Sequence, residues 1–184
     1  MFSTIDGGWI ALSERVQRLV PFAVAAGVVL LDRITKGIIK SHIGLWDRPV
    51  AVIPGFFNIV HSENPGIAFG LLADSSGPWR NVLLIGFASA VLLIITIILL
   101  RGARTAVLRS GLALVLGGAF GNLYDRIVHG SVTDFIEVYA GQHYFPAFNV
   151  ADSAISVGAG LLLLDMWLTR ERKSTSESPE CFRS

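Results

Sequence analysis

Charge is scarce in this chain. Only 16% of its 184 residues are Asp, Glu, Lys or Arg, while 52% are hydrophobic. That balance excludes an ordinary soluble domain and points to a small polytopic membrane protein. With a net charge of +1 and no basic stripe beyond membrane-flanking positions, nucleic acid is not expected as a partner. Cysteine is nearly absent. Cys181 stands alone, so no intrachain disulfide can form, and no Cys/His cluster suggests zinc. The final Cys181-Phe182-Arg183-Ser184 fails as a prenylation box because Arg183 is not aliphatic. Residues 1–18 are too polar for a cleavable signal peptide, and no small-residue cleavage site follows them.

What the chain does have is long apolar runs. A bilayer core needs about 20 mostly apolar residues per helix, and four segments qualify, at about 19–39, 79–100, 107–124 and 147–168. The first is interrupted by Asp32, Arg33 and Lys36, and the second holds the uncharged stretch 82–100. Small residues recur four apart, as Gly86 with Ala90, Gly117 with Gly121 and Ala154 with Gly158, a spacing that lets membrane helices approach closely. Residues 50–60, rich in β-branched and aromatic types and broken by Pro54-Gly55, read as a two- or three-strand sheet on the membrane surface. Arg101, Arg104 and Arg109, with Arg15, Arg18, Arg170, Arg172 and Lys173, put both termini and the second loop in the cytoplasm. The expected fold is therefore an all-α polytopic membrane protein of four transmembrane helices with a small β-sheet on the outer, periplasmic face. Residues 1–173 form one membrane-embedded domain, 40–78 and 125–146 lie on the periplasmic side, and 174–184 form a polar cytoplasmic tail.

Against this apolar background, residues 117–155 place three aspartates, Asp125, Asp134 and Asp152. A carboxylate at the centre of a membrane helix costs about 2.5–3.5 kcal/mol on insertion scales, so it marks a functional site by default. With the topology above, Asp32, Asn64, Asn122, Asp125, Arg126, Asp134, Asn149 and Asp152 all gather near the outer face. A transporter places such groups near the midplane and is built from repeats; clustering at one end favours a surface-facing active site. Asn149, Asp152 and Ser156 share one helix face by spacing, and so do Asn122, Asp125 and Arg126.

Arg126 beside Asp125 would hold that carboxylate ionised, which makes Asp125 a structural partner. Asp134 lies in the apolar run Val132-Thr133-Asp134-Phe135-Ile136, a setting that raises a carboxyl pKa. Asp152 falls in the first turn of the fourth helix with Asn149 as its N-cap, where the helix dipole favours the anion. Two carboxyls in contrasting environments suit one proton donor and one acceptor, so Asp134 and Asp152 are the expected reacting pair. The histidines His61, His129 and His143 are read as loop residues without a GxSxG-like element, which argues against a serine protease.

These residues resemble a known family, the bacterial lipoprotein signal peptidases, or signal peptidase II, which are four-helix aspartyl proteases of the cytoplasmic membrane. Five motifs match in order: Asp32-Arg33-Ile34-Thr35-Lys36, then Asn64-Pro65-Gly66-Ile67-Ala68-Phe69, the block Gly117 to Arg126, Val132-Thr133-Asp134-Phe135, and Phe148-Asn149-Val150-Ala151-Asp152. The resemblance implies a catalytic pair at Asp134 and Asp152, supported by Asp32, Lys36, Asn64, Gly66, Asn122, Asp125, Arg126 and Asn149, with no metal or cofactor. It implies prolipoprotein substrates with a lipid-modified cysteine, contact with membrane lipids, sensitivity to globomycin-type inhibitors and a monomer in the inner membrane. Arg33 departs from the family, which commonly has Gln there. The rival reading from the residues themselves is a small proton-coupled membrane transporter.

Overall fold

The computed structural model describes residues 5–45, 47–66 and 78–176. Residues 67–69 of the second motif, and all but the first few residues of the polar tail, lie outside that range. Four helices and four strands follow in the order α1 (Ile5–His42), β1 (Val50–Ile53), β2 (Phe57–Asn64), α2 (Pro78–Arg101), α3 (Ala106–His129), β3 (Val132–Ala140), β4 (His143–Tyr144) and α4 (Val150–Ser176). By length and composition, three of the helices can cross a membrane, over Trp79–Arg101, Ala106–His129 and Val150–Glu171. Helix α1 falls outside that group because Asp32, Arg33 and Lys36 interrupt its apolar run. Two of those groups, Asp32 and Lys36, are buried within the protein, and Arg33 is partly buried.

Helix α3 is central, and its glycines make that possible. It packs against α1, α2 and α4. A Cβ on Gly117 would stand 2.6 Å from the Ala25 carbonyl oxygen of α1, and one on Gly118 would collide with the Ala151 carbonyl oxygen of α4. On α4, Gly158 meets the Gly111 carbonyl oxygen of α3 at a hypothetical 2.8 Å. Backbones this close gain dispersion contact that side chains would block. The Gly86 and Ala90 pair does no such work, since a Cβ on Gly86 would meet nothing within 4 Å. At the opposite end from the strands, Ile95, Leu99 and Leu112 form a buried apolar cluster with Phe22, Leu108 and Leu162 packed against it.

Several boundaries differ from the sequence reading. Helix α3 runs to His129, five residues past the expected end, so Asp125 and Arg126 are helical rather than in a loop. It stops at Gly130, which adopts φ 76° and donates its N–H to the Arg126 carbonyl, a left-handed turn that suits glycine. Two residues later the chain is already β3. Helix α4 starts at Val150 rather than at residue 147, because Phe148 is still bonded to Ile136 of β3 through backbone hydrogen bonds.

The sheet is larger than expected. It has four strands in the order β1-β2-β3-β4, all antiparallel. Residues 132–144, for which no strand was expected, supply β3 and β4; the β-branched and aromatic residues of Val132-Thr133-Asp134-Phe135-Ile136 suit a pleated strand. The sheet forms because β2 enters beside the end of α1 and β3 leaves directly from α3. His61 and His143 therefore lie in strands and His129 at a helix end, not in loops.

Candidate functional site

Three chain turns converge at the sheet end of the bundle: the exit from α3, the entry to α4 and the end of β2. The cavity between them measures about 580 Å³ and is lined by Asn64, Asn122, Arg126, Asp134 and Asp152 on its polar side. Its apolar wall includes Val132, Phe145, Phe148, Ile155 and Val157, with Ser153 and Ser156 alongside. Such a mix, mostly apolar with a few convergent polar groups, is typical of a ligand site.

The entry to α4 fixes Asp152. Asn149 Oδ1 accepts from the Asp152 backbone N–H at 2.9 Å, and Asp152 Oδ2 accepts from the Asn149 N–H at 3.2 Å. This is a reciprocal capping box, with Asn and Asp in place of the usual Ser and Glu. The N-cap assignment for Asn149 therefore holds. The other Asp152 oxygen accepts from Asn122 Nδ2 at 2.7 Å.

Asp134 is held just as closely, from two other elements. Asn149 Nδ2 donates to its Oδ1 at 2.7 Å, and Asn64 Nδ2 donates to its Oδ2 at 3.1 Å. Burial and the neighbouring Asp152 charge push the Asp134 carboxyl up to about 6, against the two amide bonds that pull it down. The raised pKa expected from the apolar run is present. Its cause is desolvation together with a second carboxylate.

The orientation of each amide follows from an unambiguous donor. Asn122 Oδ1 accepts from the Lys36 ammonium at 3.2 Å, which has only protons to offer. Its NH₂ must then face Asp152. Asn64 Oδ1 accepts from the Gly66 N–H at 3.0 Å, and Asn149 Oδ1 from the Asp152 N–H, so both turn their NH₂ groups to Asp134. Each carboxylate in the cavity is thus met by pre-aimed donors.

Behind the cavity lies a charge-balanced cluster. Lys36 Nζ stands 2.9 Å from Asp32 Oδ2 and 2.7 Å from Asp125 Oδ2; Arg33 reaches the same two carboxylates at 2.9 Å and 2.6 Å. Asp32 and Lys36 thus pair one turn apart along α1. The expected pairing of Asp125 with its neighbour Arg126 is absent. Consecutive helical residues diverge by about 100°, and Asp125 points to α1 while Arg126 points to the cavity. Arg126 instead donates to the Asn122 carbonyl at 3.3 Å and the Gly66 carbonyl at 3.2 Å. Asp32 also accepts from the Ala151 N–H at 3.2 Å, bracing the first turn of α4.

Among the residues singled out from sequence, Asn64, Asn122, Arg126, Asp134 and Asp152 line the cavity. Asn149 lies buried beneath it, Gly66 touches it through Arg126, and Asp32, Lys36 and Asp125 brace it from behind. Sequence reasoning noted Arg33 only as a departure from the family and missed that it bridges both scaffold carboxylates and lies 4.8 Å over the Tyr124 ring. It also missed Glu63, which accepts from Ser131 at 2.6 Å and Thr133 at 3.0 Å. Its neighbours His61, Ser62, Asn64 and Pro65, past the end of the β-branched run 50–60, gave no local signal for Glu63. Among the described residues, no group of acidic, His or Cys side chains has the arrangement of a metal site.

The comparisons with known proteins agree with one another. Residues 24–168 match the family model described as Signal peptidase (SPase) II. The chain is similar to the lipoprotein signal peptidase of Solibacter usitatus (strain Ellin6076), 46% identical over 146 residues, which is 79% of this chain and 88% of that protein. It is also similar to the lipoprotein signal peptidase of Yersinia pseudotuberculosis serotype O:1b (strain IP 31758), 39% identical over 158 residues, or 85% of this chain and 92% of the other. Among solved structures, a bacterial membrane enzyme determined by the in meso method at 2.3 Å resolution superposes with a TM-score of 0.73. That pair is 29% identical and covers 90% of this chain and 94% of the other.

Proposed function

Because the chain belongs to the signal peptidase II family, we propose that it removes signal peptides from prolipoproteins by aspartic chemistry, with Asp134 and Asp152 as the reacting pair. The peptidase activity on prolipoproteins comes with the family, and the transporter alternative has no support there. The observation that carries the aspartic reading is the cavity that Asp134 and Asp152 line together, each carboxylate held by fixed amide donors.

Asp152 at the α4 N-terminus is the ionised partner, and Asp134 is the protonated one. Asp152 takes a proton from water as the water oxygen attacks the scissile carbonyl carbon, while Asp134 gives its proton to the carbonyl oxygen. A gem-diol forms. Asp152 then gives its proton to the leaving nitrogen as the C–N bond breaks, and Asp134 takes one back from a gem-diol hydroxyl. The pair returns to its starting state. Asn64 and Arg126 bind the substrate backbone or lipid linkage: both line the cavity, and Arg126 keeps Nε without a partner among the described residues.

The substrate's cysteine carries a diacylglyceryl group that stays in the lipid, and cleavage falls just before that cysteine. Helix α1 spans the bilayer with the other three, its ions turned inward against α3. The termini are cytoplasmic, the sheet and cavity face the periplasm, and the enzyme is a monomer in the inner membrane open to globomycin-type cyclic peptides. The test is gel-shift processing of a diacylglyceryl prolipoprotein by purified protein. Folded Asp134→Asn or Asp152→Asn enzyme that cuts at near wild-type rate would overturn the assignment.

A further inference from the structure

Strand β2 changes register exactly once against β3, and the change decides which face Asn64 occupies. From Phe57 to Ile59 the pairing is Phe57 with Val138, Asn58 with Glu137 and Ile59 with Ile136; from Ser62 onward it is Ser62 with Asp134, Glu63 with Thr133 and Asn64 with Val132. One extra residue on β2 is taken up at Val60-His61, a β-bulge. Directly opposed residues share a face. In the shifted register Asn64 shares the face of Val132 and Asp134. Without the bulge it would oppose Ser131 and turn to the other face, since a one-residue slip flips every side chain.

Two side chains hold the shifted register from the far face. Glu63 accepts from Ser131 and Thr133, two residues apart on β3, with Oε2 and Oε1 respectively. Only the register seen here sets Glu63 against both hydroxyls. Lys40 of α1 lies 3.6 Å from Oε1 and His61 Nε2 lies 3.4 Å from it. Within the bulge, His61 Nδ1 donates to the Ile43 carbonyl at 2.7 Å, tying the strand to the end of α1. The hydroxyl bonds hold the Glu63 carboxyl below its ordinary range despite partial burial, which favours raising it, so it remains a charged acceptor at neutral pH.

We propose that Glu63, with His61, is a positioning residue that clamps the β2 bulge and thereby aims Asn64 at Asp134. The inference rests on the reading of Asp134 as a reacting group. Glu63 touches neither the cavity nor Asp134; it acts through Asn64, whose amide donates to Asp134 Oδ2.

The test compares Glu63→Ala, Glu63→Gln, Asn64→Ala and the Glu63→Ala/Asn64→Ala double variant on a diacylglyceryl prolipoprotein across pH. The charged groups that bear on Asp134 are Asp152 of α4, Lys36 of α1 and Arg126 of α3, and none is altered. Loss of aim should lower kcat by roughly tenfold to a hundredfold in both Ala single variants. Both should also shift the pH profile toward higher pH, because a carboxylate that loses a donor holds its proton more tightly. The double variant should be no worse than Asn64→Ala alone, since residues acting through one contact are non-additive. Glu63→Gln, which keeps an acceptor and gains a donor for the hydroxyls, should recover most of the rate. Additive losses, or a Glu63→Ala profile unmoved in pH, would overturn the clamp. Full activity in Asp134→Asn would instead overturn the catalytic reading on which it stands.

Discussion

Asn149 joins the Asp134 carboxylate to the Asp152 backbone through opposite ends of one amide. Its Nδ2 donates to Asp134 Oδ1 at 2.7 Å while its Oδ1 accepts from the Asp152 backbone N–H at 2.9 Å. The cap of α4 and the orientation of Asp134 on β3 are therefore a single interaction.

Replacing Asn149 with Ala should consequently damage both. Loss of the cap costs about 1 kcal/mol, and leaving buried Asp134 short of a donor adds about 1–3 kcal/mol. A lowered melting temperature in detergent should accompany loss of processing. Unchanged stability would contradict the double role.

The state of Asp134 makes stability depend on pH in a definite direction. Its carboxyl is raised from an ordinary 3.8 to about 6, so the folded chain keeps a proton that the unfolded chain has lost. Stability from this group falls as pH rises from 3.8 to about 6, then levels off, by on the order of a few kcal/mol. Thermal unfolding between pH 4 and 8 should show that slope in the wild type and lose it in Asp134→Asn.

The same proton shapes activity. If Asp134 must be protonated in the free enzyme, kcat/KM falls on the alkaline side of a midpoint near 6, whereas kcat, which reports the substrate complex, keeps its limb at higher pH because a bound peptide excludes water. Identical limbs for the two parameters would count against this assignment.

Lys36 is buried between Asp32 and Asp125, both of which have 1% exposure or less. Lys36→Met leaves those carboxylates with Arg33 as their one ion-pair partner among the described residues and should destabilise by about 3–5 kcal/mol. Arg33→Gln should cost less, about 1.5–3 kcal/mol, because Lys36 still spans the pair. Chemical or thermal unfolding of the two variants should rank them in that order.

Helix contacts offer a test remote from the chemistry. Gly118→Ala would drive a methyl into the Ala151 carbonyl at the start of α4 and should sharply reduce stability, while Gly86→Ala meets open space and should be silent. Paired melting curves decide between them.

The apolar runs, the isolated carboxylates and the capping pattern Asn149 to Asp152 were legible in the sequence because each is a local property. Hydropathy marks a span without its neighbours, a cap reaches only three residues along the chain, and an aspartate in a β-branched run announces its own desolvation. Asp125 shows where local reasoning failed. Its adjacent Arg126 was the obvious partner, yet helix geometry turns consecutive side chains apart and the true partners, Arg33 and Lys36, stand about ninety residues away.

The sheet was misjudged for the same reason. Its third strand pairs with residues some 70 positions earlier, and a strand's edge partners leave no mark on its own composition. Residue types and their rough depth were thus determined by the sequence itself, since burial preference and helix propensity act residue by residue. The tertiary structure alone decided which carboxylates meet, which face each amide turns to and how Asn64 reaches Asp134. Those depend on helix rotation and on a one-residue strand register, and both are set by long-range contacts.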